Sequence, residues 1–411
     1  MNLGKKIYNT PFIVFLLLTF LFLYALNNAF IIILIPIVFL PILLLDIKNR
    51  RFSKKFIVIF LNILFFSVVF AFFTRLYLPD IGSNIVLQVL ITPPIFTYCG
   101  YIFPKNSINE KKFIFYGIVI IASGLTLFCF LSYLKTLRNF GTISAAYRSF
   151  GSRRMLQSIW SNQPIAATGI NVYLSLSLAL FPVCLMKFDR SFSFFEERLI
   201  KILVTILSLL SIFLVLEIGS RTGVLLFFSV LFIFFLTKLN SIKSLLSFLI
   251  SISIVLLFLV IVYFNNEEIV NNIWLNSSFY NRLINEGINN DARINAWKIS
   301  LDNFFIHPFG GREFEIPLKY VHNLWLDVHY DVGIIALTPL IIFCIYSLKD
   351  LLNRIITLPK DVLTQLFIGV FIGLYSVFML EPILQGWIII FNIYCFFVGN
   401  LRCIIEVDEK K

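Results

Sequence analysis

The chain has three histidines, His307, His322 and His329, and all of them fall within one short stretch. Imidazole titrates near neutrality, so a histidine is the default general base and can also donate to a phosphate. His322 opens the segment Val321-His322-Asn323-Leu324-Trp325-Leu326-Asp327, just ahead of an apolar run. It reads as a base or phosphate-binding donor, or as an anchor at a membrane boundary. His307 precedes Pro308 and the pair Gly310-Gly311 and reads as part of a turn; His329 suggests no role. A second focus is Arg221, in Glu217-Ile218-Gly219-Ser220-Arg221-Thr222-Gly223, a tight break between two apolar runs. Arginine at membrane depth is costly and is usually paired or functional. Its guanidinium forks onto phosphate oxygens, whereas snorkelling or a pair with Glu217 would be structural uses. Gly219 and Gly223 would let a ligand approach the backbone closely.

The elements that must position these residues are membrane helices. The chain has 411 residues, is 59% hydrophobic and only 14% charged, contains 48 Phe, and has a mean hydropathy of +0.92. Soluble domains are nearer half apolar and a quarter charged. The apolar runs predict twelve spans, at about 11–26, 29–46, 56–73, 84–103, 113–134, 166–186, 199–217, 222–237, 245–264, 333–348, 363–380 and 385–400. Pro36, Pro41, Pro93 and Pro94 fall inside spans and should kink them. The start resembles a signal peptide but lacks a small-residue cleavage site, which favours a retained first helix. With the N-terminus inside, the inner segments hold 22 of the 34 Lys and Arg residues, as the positive-inside rule requires. Both termini are then cytoplasmic, and residues 1–411 form a single polytopic membrane domain.

The net charge of +12 is therefore a topology signal, and nucleic acid is excluded as a partner. The six cysteines lie in or beside apolar segments and suggest neither a disulfide framework nor a zinc site. Two outer loops depart from the charge rule. Residues 135–165 carry Lys135, Arg138, Arg148, Arg153 and Arg154; residues 265–332 carry Arg282, Arg293, Lys298, Arg312 and Lys319. Long loops translocate whatever their charge, so these residues serve solvation, headgroups or an anionic ligand. Within the longer loop, Ile294, Trp297, Leu301 and Phe304/Phe305 recur at helical spacing. They predict an amphipathic helix over 291–305, capped by Asp291, ended by Pro308-Phe309-Gly310-Gly311, and lying flat on the outer leaflet.

Several chemistries are missing. There is no phosphate-binding G-x-x-x-x-G-K-[ST] loop, no H-E-x-x-H and no Asp-x-Asp. Neither a metal nor a cofactor is expected. The segments resemble the O-antigen ligase/polymerase family of bacterial membrane proteins. Three pieces carry the resemblance: Gly219-Ser220-Arg221-Thr222-Gly223 before an apolar helix; Asp291-Ala292-Arg293 with Trp297, then His307-Pro308-Phe309-Gly310-Gly311; and His322-Asn323, Leu326, then Asp331-Val332-Gly333-Ile334-Ile335. Many members have Glu at the position of Asp331. The resemblance covers about residues 160–400, and the first five spans match only as apolar runs.

The resemblance implies an all-α, GT-C-like membrane glycosyltransferase with a long extracytoplasmic loop. Its donor would be a glycan on undecaprenyl pyrophosphate, and its acceptor another lipid-linked repeat unit. Membrane lipids and, for a polymerase, a chain-length regulator are the further partners implied. On this expectation His322, Arg221 and Arg293 are catalytic, while Arg312, Arg153, Arg154, Asn323 and Trp297 bind substrate. Polymerisation of O-antigen or capsular repeat units is the first reading, and ligation to the lipid A core is the alternative. A flippase for the same lipid is a third reading. It is disfavoured because the halves show no internal repeat and the ionisable residues gather at the outer edge.

Overall fold

A computed structural model describes residues 11–27, 52–107, 109–151, 155–188, 192–238 and 292–409. Ten of the twelve expected spans coincide with helices, and those at 29–46 and 245–264 lie outside the described residues. The ten are α1 (Pro11–Ala25), α2 (Lys54–Tyr77), α3 (Ser83–Asn106), α4 (Glu110–Phe140), α6 (Ala167–Leu180), α7 (Phe194–Glu217), α8 (Arg221–Lys238), α11 (Ile334–Thr357), α12 (Val362–Leu380) and α14 (Ile388–Asp408). The others are α5 (Ile143–Ser149), α9 (Ala292–Asp302), α10 (Leu324–Val332) and α13 (Ile383–Gly386). Eight of these helices are long and apolar enough to cross a membrane, with a 3-10 turn at Phe181–Leu185 completing α6; α1 and α8 are shorter apolar helices. The chain is a multi-pass helical membrane protein.

Two expectations need correction. The fifth span runs six residues past 134, because nothing stops α4 before Gly141, whose φ of +73° forms the helix C-cap. The loop after it is not all irregular. Met155–Gln157 and Pro164–Ala166 pair as an antiparallel hairpin, the single departure from all-α among the described residues. Pro93 and Pro94 lie inside α3, which runs from Ser83 to Asn106, as their place within a span led us to expect. Pro36 and Pro41 lie outside the described residues, as do Arg153 and Arg154.

The helix starts follow from local capping. Ser53, Asn109 and Asp361 each accept a bond from a first-turn amide, and Ser193 with Glu196 forms a reciprocal capping box on α7. In the core, α3 and α14 cross with backbones touching. A Cβ on Gly100 would lie 2.0 Å from the Phe396 carbonyl oxygen, and one on Gly399 would lie 2.2 Å from that of Thr97. In lipid, close approach of this kind is a main source of helix association. α14 is the most enclosed helix, whereas α2 and α7 expose whole apolar faces, as lipid-facing helices should.

At the C-terminal end of α14, buried charges tie the bundle together. Arg354 donates to Asp408 at 2.6 Å and to Asp361 at 2.7 Å. Arg402 contacts Asp350 at 3.2 Å and Glu406 at 3.1 Å. At the opposite end, the starts of α6, α8 and α14 and the close of α12 come together with α9 and α10. Gly169 lies against Trp387, and Gly223 against Asn171. This second end carries the candidate site.

Candidate functional site

The site is built around the residue that closes α12. Glu381 is the C-cap of that helix, and its backbone amide bonds the Val377 carbonyl. Its side chain is 1% exposed. One carboxylate oxygen, Oε1, lies 3.4 Å from an Arg293 guanidinium nitrogen. The other, Oε2, lies 3.5 Å from His322 Nδ1. That distance is beyond a formed hydrogen bond, and neither Oε2 nor Nδ1 has a hydrogen-bond partner among the described residues. Two residues expected from the sequence to be catalytic thus converge on a third that was not. No charge near Glu381 in the chain marks it, because both of its partners lie far upstream.

His322 is held in an unusual conformation. Its φ is +62°, the left-handed region that side chains other than glycine adopt only when the surroundings impose it. The imposing groups are visible. Asp327 accepts from the Val321 amide at 2.7 Å through Oδ1 and from the Asn323 amide at 3.1 Å through Oδ2. It therefore brackets His322 from both neighbours. Trp297 adds a third tie, donating from its indole nitrogen to the Val321 carbonyl at 2.9 Å. Burial, followed by the charge of nearby Asp331, pushes the Asp327 carboxyl up to about 8, against the pull of its two amide bonds. Asn323 N-caps α10 through the Trp325 and Leu326 amides at 3.2 Å, and its amide nitrogen reaches the Met379 carbonyl at 3.3 Å. Asn323, expected to bind substrate, uses its side chain here to fasten α10 to the end of α12.

Arg312 belongs to a neighbouring cluster. Its Nε donates to Asp331 Oδ1 at 2.8 Å, and Gln385 Nε2 donates to Asp331 Oδ2 at 2.5 Å. The guanidinium lies 5.6 Å from the ring centres of both Tyr320 and Tyr330. Burial pushes the Asp331 carboxyl up, and Arg312 opposes that shift. Gly310, Gly311 and Arg312 have φ of +78°, +82° and +56°. This turn docks against the end of α10, where the amides of Gly311 and Arg312 donate to the carbonyls of Asp331 and Tyr330, both at 3.0 Å. A Cβ on Gly333 would lie 2.4 Å from the Phe309 carbonyl carbon, so the two glycine turns interlock.

α9 begins at Ala292 and ends at Asp302, short of the expected 305, and Asp291 lies outside the described residues. Its apolar residues split between two sides. Trp297 faces inward, packing with Ala296 and Val321, and not onto lipid as the sequence suggested. Phe304 also turns inward and stacks on the buried His329 ring at 3.9 Å. Burial holds His329 below the usual imidazole range, so this ring is a neutral core residue. Ile294, Leu301, Phe305 and Ile306 are exposed. The spacing of apolar residues in α9 marked the helix but could not say which of them the rest of the loop would cover. His307 pairs with the solvated Glu313 at 2.6 Å in its turn, in the structural place its Pro-Gly-Gly context suggested.

Arg221 is the first residue of α8. Ser220 accepts from the Gly223 amide at 3.2 Å, and Gly219 has a φ of +65°, which makes the tight break. Gly223 offers no room for a ligand, contrary to expectation. A Cβ there would meet Asn171 Oδ1 at 2.5 Å and Val215 at 2.8 Å, so this glycine serves helix packing. A cation at a helix N-terminus opposes the macrodipole, and both then favour an anion nearby. The arrangement can therefore offer a carboxylate-backed imidazole, at least one further guanidinium and a positive helix end, all at one end of the bundle.

Residues 206–341 match the family model described as O-Antigen ligase. The matched segment begins within α7, takes in the Gly219–Gly223 break, Arg293 and His322, and ends within α11. A comparison with curated proteins finds no match.

Proposed function

We propose, for a chain that belongs to the O-antigen ligase/polymerase family by residues 206–341, that it polymerises polysaccharide repeat units carried on undecaprenyl pyrophosphate. Members of this family are glycosyl-transferring enzymes. The observation that carries the reading is the meeting of Arg293 and His322, both within the matched segment, on the buried carboxylate of Glu381. In the proposed reaction, an acceptor hydroxyl attacks the anomeric carbon of the donor glycan. The bond to the pyrophosphate oxygen breaks, and the electron pair leaves with the pyrophosphate. Arg221, at the N-terminus of α8, and Arg293 stabilise that developing charge. His322 takes the hydroxyl proton. Arg312 is engaged by Asp331 and serves to brace the turn that shapes the site.

The exposed side of α9 and the turn after it, with Ile294, Leu301, Phe305 and Ile306, rests on the outer leaflet in this reading. Both termini are then cytoplasmic and the site faces outward, the arrangement that the distribution of Lys and Arg supports. The second reading is ligation to a lipid A core, and the description of the matched family favours it.

A deletion strain complemented with the wild-type chain or with His322→Ala decides between them. The surface glycan is resolved by size on a gel. Polymerase activity predicts a single repeat unit on the core after deletion, and long chains restored by wild type but not by His322→Ala. Bare core, with long polymer still on the lipid carrier, would establish the ligase instead. An unchanged profile would remove both readings.

A further inference from the structure

We infer that Glu381 is the positioning carboxylate of a Glu381–His322 dyad, setting the imidazole tautomer so that Nε2 receives the acceptor proton. The inference rests on the glycosyl-transfer reading for its chemical consequence, though not for its geometry. Four observations carry it. Glu381 is almost fully buried, so its carboxylate is held where water cannot solvate it. Oε2 faces His322 Nδ1 at 3.5 Å, and these two buried atoms have no hydrogen-bond partner among the described residues, so each is left for the other. His322 itself is 20% exposed, so the ring reaches solvent by its other edge, which carries Nε2. Finally, its backbone is forced into the left-handed region by Asp327, which aims the ring toward the end of α12.

A carboxylate accepts hydrogen bonds and cannot donate one when ionised. Beside it, the neutral ring places its proton on Nδ1, which leaves the Nε2 lone pair toward the acceptor. The hydroxyl oxygen bonds the anomeric carbon, its proton passes to Nε2, and the pyrophosphate leaves with the electron pair. The imidazolium so formed is balanced by Glu381 and then returns its proton to water. Arg293, on Oε1, keeps Glu381 from being a lone buried charge before the ring is protonated. Distances of this kind commonly tighten only in the substrate complex. His307 and Glu313 form a closer pair, but Glu313 is 57% exposed, so its carboxylate is solvated and has no comparable hold on the ring.

The test uses the full chain in nanodiscs with ¹⁵N-labelled histidine. Three histidines keep the spectrum simple, and removing His307 completes the assignment. Wild-type His322 is expected to be protonated at Nδ1 and bare at Nε2. In Glu381→Gln the amide can donate to Nδ1, and the proton should move toward Nε2. Transfer of lipid-linked repeat units should then fall about 100-fold or more in kcat, in line with loss of general base catalysis, with KM changed less than about threefold. Glu381→Asp keeps an acceptor and should recover roughly a tenth of the wild-type rate, on the same scale. An Nε2-protonated His322 in the wild type would overturn the dyad. So would unchanged kcat in Glu381→Gln. If the wild type transfers no glycan at all, the functional reading fails, while the tautomer of His322 still decides the dyad.

Discussion

The two ends of the bundle both bury charge, and they do so differently. At the C-terminal end of α14, Arg354 has two carboxylates within 2.7 Å, and Arg402 has two within 3.2 Å. None of these six residues has a left-handed backbone. At the other end, Glu381 has the Arg293 guanidinium at 3.4 Å and the His322 imidazole at 3.5 Å. Two residues there, His322 and Arg312, are forced to positive φ. Bonded charge in relaxed backbone is what helix assembly needs. Under-bonded charge in strained backbone costs stability, and it persists where the surroundings over-determine it for another purpose. The contrast supports the proposed reading of the Glu381 end as the working end and the Arg354 end as a fastening.

The sharpest way to break this contrast is to remove a cation from each end. Arg221→Ala should reduce chain extension by at least about 100-fold, the usual consequence of removing one transition-state donor. Its membrane level should stay near wild type. Arg354→Met should do the opposite. Taking one partner from a buried ion pair costs about 3–5 kcal/mol, because the orphaned carboxylates remain buried. The protein should be scarce and melt early, yet transfer per folded molecule should be close to normal. Replacing Asp361 and Asp408 with Asn in the same chain should return much of the lost stability. Immunoblots, thermal melts and a transfer assay normalised to folded protein read all three variants. Normal long-chain glycan from Arg221→Ala would end its assigned role. Lost specific activity in Arg354→Met would end the division between the two ends.

Much of this contrast was legible in the sequence, and the part that was not has a physical reason. Hydrophobic runs report solvent, so ten spans appear as helices close to the positions expected. Arg221, Arg293 and His322 stand out because charge and imidazole are scarce in such a chain. Glu381 does not stand out, since a lone carboxylate in a short turn gains meaning only from partners that folding brings to it. The same holds for Asp327, whose importance lies in two backbone amides. Trp297 and Phe304 were assigned to lipid by helical spacing. Spacing reports the period of a helix and not which of its sides the surrounding loop will cover.

The smallest expected effect concerns Asp327, where bonding and strain meet. Its carboxyl, near the ordinary 3.9 in the unfolded chain, is raised to about 8 in the folded one, first by burial and then by Asp331. The folded state therefore binds a proton over this window that the unfolded state has released. Stability is fully supported by this proton at low pH, and it is lost progressively as pH rises from about 4 through 8. The thermal midpoint of purified wild-type protein should fall by a few degrees as pH is raised from 6 to 9. Asp331, also shifted upward by burial, contributes to the same slope. Asp327→Asn cannot ionise, so its midpoint should vary less over this range. It should also start lower, because the amide nitrogen faces one of the two backbone N–H groups that the carboxylate accepts, and a buried donor left unsatisfied costs about 1–3 kcal/mol. A lower but flatter curve is thus the expected signature. Parallel curves for the two proteins would mean that the proton on Asp327 is not what links this loop to pH. His322 would then be held by the geometry of the two amide bonds alone.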